Sequence, residues 1–134
     1  MPHVFDTNSL RVLNNYYPPH FPSFWKLFDE AVEKEEVVSV REVYNEVVKL
    51  IKDEWYLDWL KQHKAMFLTP GAEEMQFVAE IFKVNHFQTL VGEKQRLQGL
   101  PVADPFVVAC ARMSNGTVVT EEALKENAAK ITNV

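Results

Sequence analysis

His3-Val4-Phe5-Asp6-Thr7-Asn8-Ser9 is the stretch on which the fold turns. A short, largely apolar run passes directly into four turn-forming residues, the pattern of a strand that ends abruptly. Asp6 then stands at the carboxyl end of a first strand. Asn8 is placed to hold the following loop through side-chain to backbone hydrogen bonds. An Asx-turn of this kind requires no chemistry. It gains weight because other acids recur at comparable places further along the chain.

Outward from this stretch, helical and strand-like segments alternate. Leu10, Val12 and Leu13 start a short helix that Pro18-Pro19 stops. Pro22-Ser23 opens a helix to about Glu35, with Phe21, Phe24, Trp25, Phe28 and Val32 at helical spacing. Val37-Val38-Ser39 reads as a second strand. Val40 to about Ile51 reads as a helix whose apolar face holds Val43, Tyr44, Val47 and Leu50. A further helix carries Trp55 and Trp59, and Met66-Phe67-Leu68 either ends it or forms a short extended piece. Thr69-Pro70-Gly71 then punctuates, and Met75 to Phe82 is amphipathic.

Asn85 to Leu100 reads as loop with a short polar helix. Asp104-Pro105 is a helix start, with aspartate as N-cap and proline at the first helical position. Phe106 to Ala111 is apolar and small enough to pack closely on a sheet. Asn115-Gly116 makes a turn, Thr117 to Thr120 a strand, and Glu121 to about Lys130 a last helix. Strands separated by helices imply crossovers and a parallel sheet. The expected architecture is a single three-layer α/β domain over residues 1–134, with a small parallel β-sheet flanked by helices.

Composition narrows the function. The chain has 134 residues, 47% hydrophobic and 25% charged, which suits one soluble globular domain. No apolar run is long enough to span a bilayer, and the start lacks the pattern of a signal peptide. The single Cys110 excludes an internal disulfide framework and points to the cytoplasm. Dispersed His3, His20, His63 and His86 offer no zinc-ligand spacing. A net charge of −5 argues against a broad basic nucleic-acid surface. It leaves room for a basic protein partner, or for an acidic site that meets phosphates through a metal.

The acids that recur are Asp6, Glu46, Asp104 and the pair Glu121-Glu122. In an open α/β sheet such positions converge outside the carboxyl ends of the strands. Carboxylates gathered there repel one another unless a cation neutralises them, and hard oxygen donors suit Mg²⁺ or Mn²⁺. Between Glu42 and Glu46, helical geometry favours the second. Glu46 lies roughly 40° outside the apolar arc and Glu42 roughly 80° outside it, so Glu42 is expected to be a solvated charge. Arg11 and Arg41 are the basic residues nearest these motifs.

With these motifs the chain resembles the PIN-domain nuclease superfamily, which includes the VapC-type toxins of bacterial toxin–antitoxin pairs. The resemblance rests on Val4-Phe5-Asp6-Thr7-Asn8, on Val38-Ser39 leading to Glu46-Val47, on Ala103-Asp104-Pro105, and on Val118-Val119-Thr120-Glu121-Glu122. Asn14-Asn15-Tyr16-Tyr17-Pro18 is similar to an uncharacterised PIN-like subgroup of bacteria and archaea. The resemblance runs from Val4 to about Glu126, with only helical character matching between Lys52 and Leu100.

It implies a Mg²⁺- or Mn²⁺-dependent ribonuclease acting on single-stranded or structured RNA. Asp6, Glu46, Asp104 and Glu122 would be the catalytic, metal-binding acids, and Asn8, Ser39, Thr120 and Glu121 would support them. The fourth acid of the family is usually aspartate, so Glu121 and Glu122 both stay in contention. The resemblance also implies an antitoxin partner for toxin members, and a strand begun by Ile131-Thr132-Asn133-Val134 that is missing here. The alternative is a catalytically silent PIN-like protein-binding module. The aromatic helices Phe21 to Phe28 and Trp55 to Trp59 are compatible with a partner or homodimer surface, though such helices are more often plain core.

Overall fold

The structure is a computed structural model that describes residues 1–83 and 103–121. Its strands are β1 (His3–Phe5), β2 (Val37–Val40), β3 (Phe67–Leu68) and β4 (Thr117–Val119). Its helices are α1 (Thr7–Val12), α2 (Pro22–Glu33), α3 (Arg41–Leu50), α4 (Glu54–Gln62), α5 (Ala72–Lys83) and α6 (Asp104–Ser114), and short 3₁₀ turns occupy Leu13–Asn15, Pro18–His20 and Lys64–Met66. The expected segment Asn85 to Leu100, the last helix and the Ile131 to Val134 strand lie outside the described residues.

The four strands form one parallel sheet in the order β3-β2-β1-β4. Val4 pairs across to Val38 on one side and Val118 on the other. Val4 and Phe5 point to opposite faces. Phe5 meets the Phe28 ring of α2 edge-on at 5.7 Å, while Val4 is wholly buried. All four residues of β2 are buried, which is why this strand reads as uninterrupted apolar sequence apart from Ser39. Helices therefore cover both faces, and the fold is the expected three-layer α/β arrangement. Among the described residues no helix is long and apolar enough to cross a membrane.

One open alternative is resolved and two local expectations change. Phe67-Leu68 pairs with Ser39-Val40 as a fourth strand, of only two residues, too short to show a sequence period. Asp6-Thr7-Asn8-Ser9 is a helix start, not a loop: Asp6 is the N-cap and α1 begins at Thr7. Asp104 is already helical, with Ala103 as the cap residue and Pro105 second in the helix. The shift is one residue, because proline is tolerated anywhere in the first turn, where no N–H partner exists.

The aromatic helices are mainly core. Trp25, Phe28, Tyr56 and Trp59 are buried against one another. Their polar atoms are satisfied inside: Trp59 Nε1 donates to Asp29 Oδ1 at 2.9 Å, and Trp25 Nε1 donates to the Tyr16 carbonyl. Tyr56, wholly buried, donates its hydroxyl to the Leu10 carbonyl and so fastens α4 to α1. At the other end, Asn115 adopts the left-handed conformation (φ 55°) that ends α6. Gly116 follows it, where a Cβ would sit 2.6 Å from the Pro2 carbonyl oxygen.

Tyr56→Phe removes one of two donors to the Leu10 carbonyl, the Leu13 N–H being the other. The expected loss is about 0.5–1.5 kcal/mol in urea unfolding, with an unchanged denaturant slope. An unchanged midpoint would show that this hydrogen bond contributes nothing net.

Candidate functional site

The sheet order sets where a site can form. The chain leaves β1 toward β2 and β3, then returns to place β4 on the other side of β1. Between β1 and β4 the direction reverses, and crevices in α/β sheets open at the carboxyl ends of such strands. Asp6 follows β1 and Thr120 follows β4, so the topology alone sets them side by side.

Asp6 is buried at 8% exposure. Its Oδ1 accepts from the Ser9 backbone N–H at 2.8 Å, the N-cap bond of α1. Its Oδ2 accepts from Thr120 Oγ1 at 2.6 Å. Ser9 Oγ donates to the Val119 carbonyl at 2.9 Å, and the Asp6 N–H to the same carbonyl at 3.1 Å. Ser39, also buried, donates its hydroxyl to the Phe5 carbonyl at 2.6 Å and so ties β2 to the residue before Asp6. Thr120 and Ser39 thus both hold the site's frame. Asn8 does not: it is exposed on α1, and the turn it was expected to hold is held by Asp6 itself.

Glu46 reaches the same place from α3. Its Oε1 accepts from Thr7 Oγ1 at 2.7 Å, and its Oε2 accepts from the Ala103 N–H at 2.8 Å. One carboxylate thereby spans the residue after Asp6 and the residue before Asp104. Asp104 is half-buried at the start of α6. Asp6, Glu46 and Asp104 are therefore brought to one edge by three different helix starts or faces. Of the remaining pair, Glu121 is exposed just beyond β4, and Glu122 lies outside the described residues.

Among the described residues no group of three or more His, Cys, Asp or Glu side chains encloses a metal-sized space. That observation bears differently on different ions. A structural zinc needs such a cage, whereas Mg²⁺ keeps several waters and is commonly held by one or two carboxylates with substrate phosphates. The donors here are all carboxylate oxygens with a second acceptor position beside each protein hydrogen bond. Such hard oxygen donors have the chemistry of Mg²⁺ or Mn²⁺ sites and not of zinc sites.

Glu42 overturns its sequence reading. It is buried at 7% exposure, not solvated. Arg41 Nε lies 3.5 Å from its Oε2, a long ion-pair distance, and neither carboxylate oxygen has a hydrogen-bond partner. Burial pushes its carboxyl above the ordinary 4.5, Arg41 works the other way, and Glu74 on α5 adds to the rise. A helical wheel ranks side chains by angle and not by position along the axis. The first turn of α3 follows a wholly buried strand, so its outer side is covered as well. Nearby, burial and then Glu74 push the Cys110 thiol up to about 11, which leaves it protonated and unsuited to nucleophilic attack.

A carboxyl whose folded pKa is raised disfavours the fold once ionised. That cost is absent below the unfolded value and complete above the folded one. Glu42→Gln is therefore expected to raise stability at pH 7 and to lose this advantage below about pH 4.5, in paired urea titrations. A variant less stable than the parent at pH 7 would mean that the ionised carboxylate is favourably held.

Comparison with curated proteins and with solved structures found no match. A family model matches residues 3–134, nearly the whole chain, and the protein belongs to that family, the domain of unknown function DUF4411.

Proposed function

We propose that this protein is a Mg²⁺- or Mn²⁺-dependent endoribonuclease of PIN-domain type, hydrolysing RNA phosphodiester bonds at the Asp6–Glu46–Asp104 edge. The observation that carries the reading is the Glu46 brace, which draws the neighbours of Asp6 and Asp104 to one carboxylate across 39 and 57 residues of sequence. Like charges are costly to gather in a fold unless a cation or proton relieves them. Asp6 and Asp104, with Glu122 as the expected fourth acid, would hold the ion, and Glu46 would complete the set. Such an ion, when bound, supplies Lewis acidity toward the phosphate and lowers the pKa of attacking water.

The chain's own part is positional. Thr120 and the Ser9 N–H fix the Asp6 carboxylate in one orientation from two sides. Thr7 and Ala103 do the same for Glu46, so neither acid spends rotamer freedom when substrate arrives. Cys110 is buried, and among the described residues no serine or histidine arrangement points to a covalent intermediate. A toxin role, with an antitoxin as protein partner, is the finer form of this proposal and rests on the resemblance alone.

A second reading has its own observation. Both oxygens of Asp6 and both of Glu46 are already satisfied by protein donors, which is what a silent, protein-binding module would show. Divalent-ion binding separates the two. Asp6→Asn keeps a good N-cap, so the fold should persist. Cleavage of single-stranded RNA in Mn²⁺ should fall at least about a hundred-fold in this variant, as for loss of a charge-stabilising group, and chelation should abolish it in the parent. Full activity in the variant would sink the nuclease reading. Calorimetry with Mn²⁺ that gives identical heats for the parent and Asp104→Asn would favour the silent module.

A further inference from the structure

We propose that a cleft beside Asn14, with the exposed tyrosines that follow it in sequence, is a subsite for unpaired bases of an RNA strand, about one helical turn from the carboxylate edge. This rests on the nuclease reading and adds to it where the substrate lies. The cleft, about 430 Å³, is bounded by Arg11 on α1 and Asn14 in the turn after it, and by Leu50 at the end of α3 with Lys52 and Asp53 beyond it. Asn14 Nδ2 donates to Asp53 Oδ2 at 2.9 Å. Since a carboxylate can only accept, that bond sets the amide's orientation and leaves Oδ1 as the other end. Asn14 Oδ1 is buried and has no hydrogen-bond partner. A buried acceptor without a donor is costly, and base edges are rich in N–H groups.

Two further features have the chemistry of a single strand. Arg11 and Lys52 are exposed cations that both line the cleft, which is favourable for phosphates despite the net charge of −5. Tyr16 and Tyr17 follow directly in sequence, 37% and 45% exposed, with Phe21 beyond them at 41%. Tyr17 stands edge-on to Trp55 at 5.7 Å, and the Tyr16 carbonyl is held by Trp25 Nε1. Pro18 restricts the residue before it, so the Tyr17 ring is presented on stiff backbone. Exposed aromatic rings used together with cations are how non-specific single-strand binders stack bases.

Position agrees with this use. Thr7 meets Glu46 at the carboxylate edge, while Arg11 and Leu50, each four residues further on, line the cleft. Four residues advance about 6 Å along a helix. That is roughly two nucleotides of a stacked strand. An RNA strand seated on the tyrosines would therefore run along α1 and α3 toward Asp6.

The test uses full-length Asp6→Asn protein, which cannot turn the probe over, and fluorescence anisotropy with single-stranded rA, rC and rU dodecamers. Tyr17→Leu is expected to weaken binding about five- to a hundred-fold, and Tyr17→Phe, which keeps the ring, to bind as the parent does. Arg11→Gln should weaken binding and make the salt slope shallower by roughly 0.7. Equal affinity for duplex RNA, or unchanged binding by both Tyr17→Leu and Arg11→Gln, overturns the subsite. If the wild type still cleaves RNA in that case, the subsite alone fails. If the wild type neither cleaves nor binds RNA, the nuclease reading fails with it.

Discussion

The carboxylate of Asp6 is the point on which the two halves of this molecule meet. One oxygen caps α1 through Ser9, and the other is held by Thr120 at the end of β4, 114 residues away in sequence. The parallel sheet reverses its order between β1 and β4, so a crevice at their carboxyl ends follows from topology. Placing an acid at its floor is a choice of sequence. An asparagine or serine would cap the helix about as well. The charge is therefore in excess of what the fold needs.

Glu46 and Glu42 show two ways in which α3 handles a carboxylate. Glu46 receives donors from both sides, from α1 and from the backbone before α6. Its burial is compensated, and it works as a brace. Glu42, one turn earlier, is more deeply buried and has only a distant guanidinium. Burial without hydrogen bonds raises a carboxyl's pKa, because the charged form loses more solvation than it regains. The same helix thus carries one acid held by two donors and one pressed toward neutrality.

The α/β class, the strand at Val4-Phe5, the buried strand at Val37-Val38 and the helix after Asp104 were all legible, because apolar runs alternated with helical spacing and turn chemistry. Phe67-Leu68 stayed open between a helix end and a short extended piece, since two residues carry no period. Asp6 was placed correctly at a strand end, yet its partner was misjudged: Asn8 looked like the loop's anchor, whereas Ser9 and Thr120 do that work. Glu46 was reached by helical geometry, and the same geometry failed for Glu42, because angle around an axis says nothing of what packs on the outer side. The unpaired Asn14 oxygen was invisible in sequence. It depends on Asp53, brought beside it by the α1–α3 pairing.

The central claim is that Asp6 and Asp104 share a hydrated divalent ion at the edge that Glu46 braces. Anomalous diffraction from a crystal soaked in Mn²⁺ tests it most directly. The account predicts one or two manganese peaks in contact with the Asp6 and Asp104 carboxylates. Saturating Mn²⁺ with no peak at either residue would contradict it.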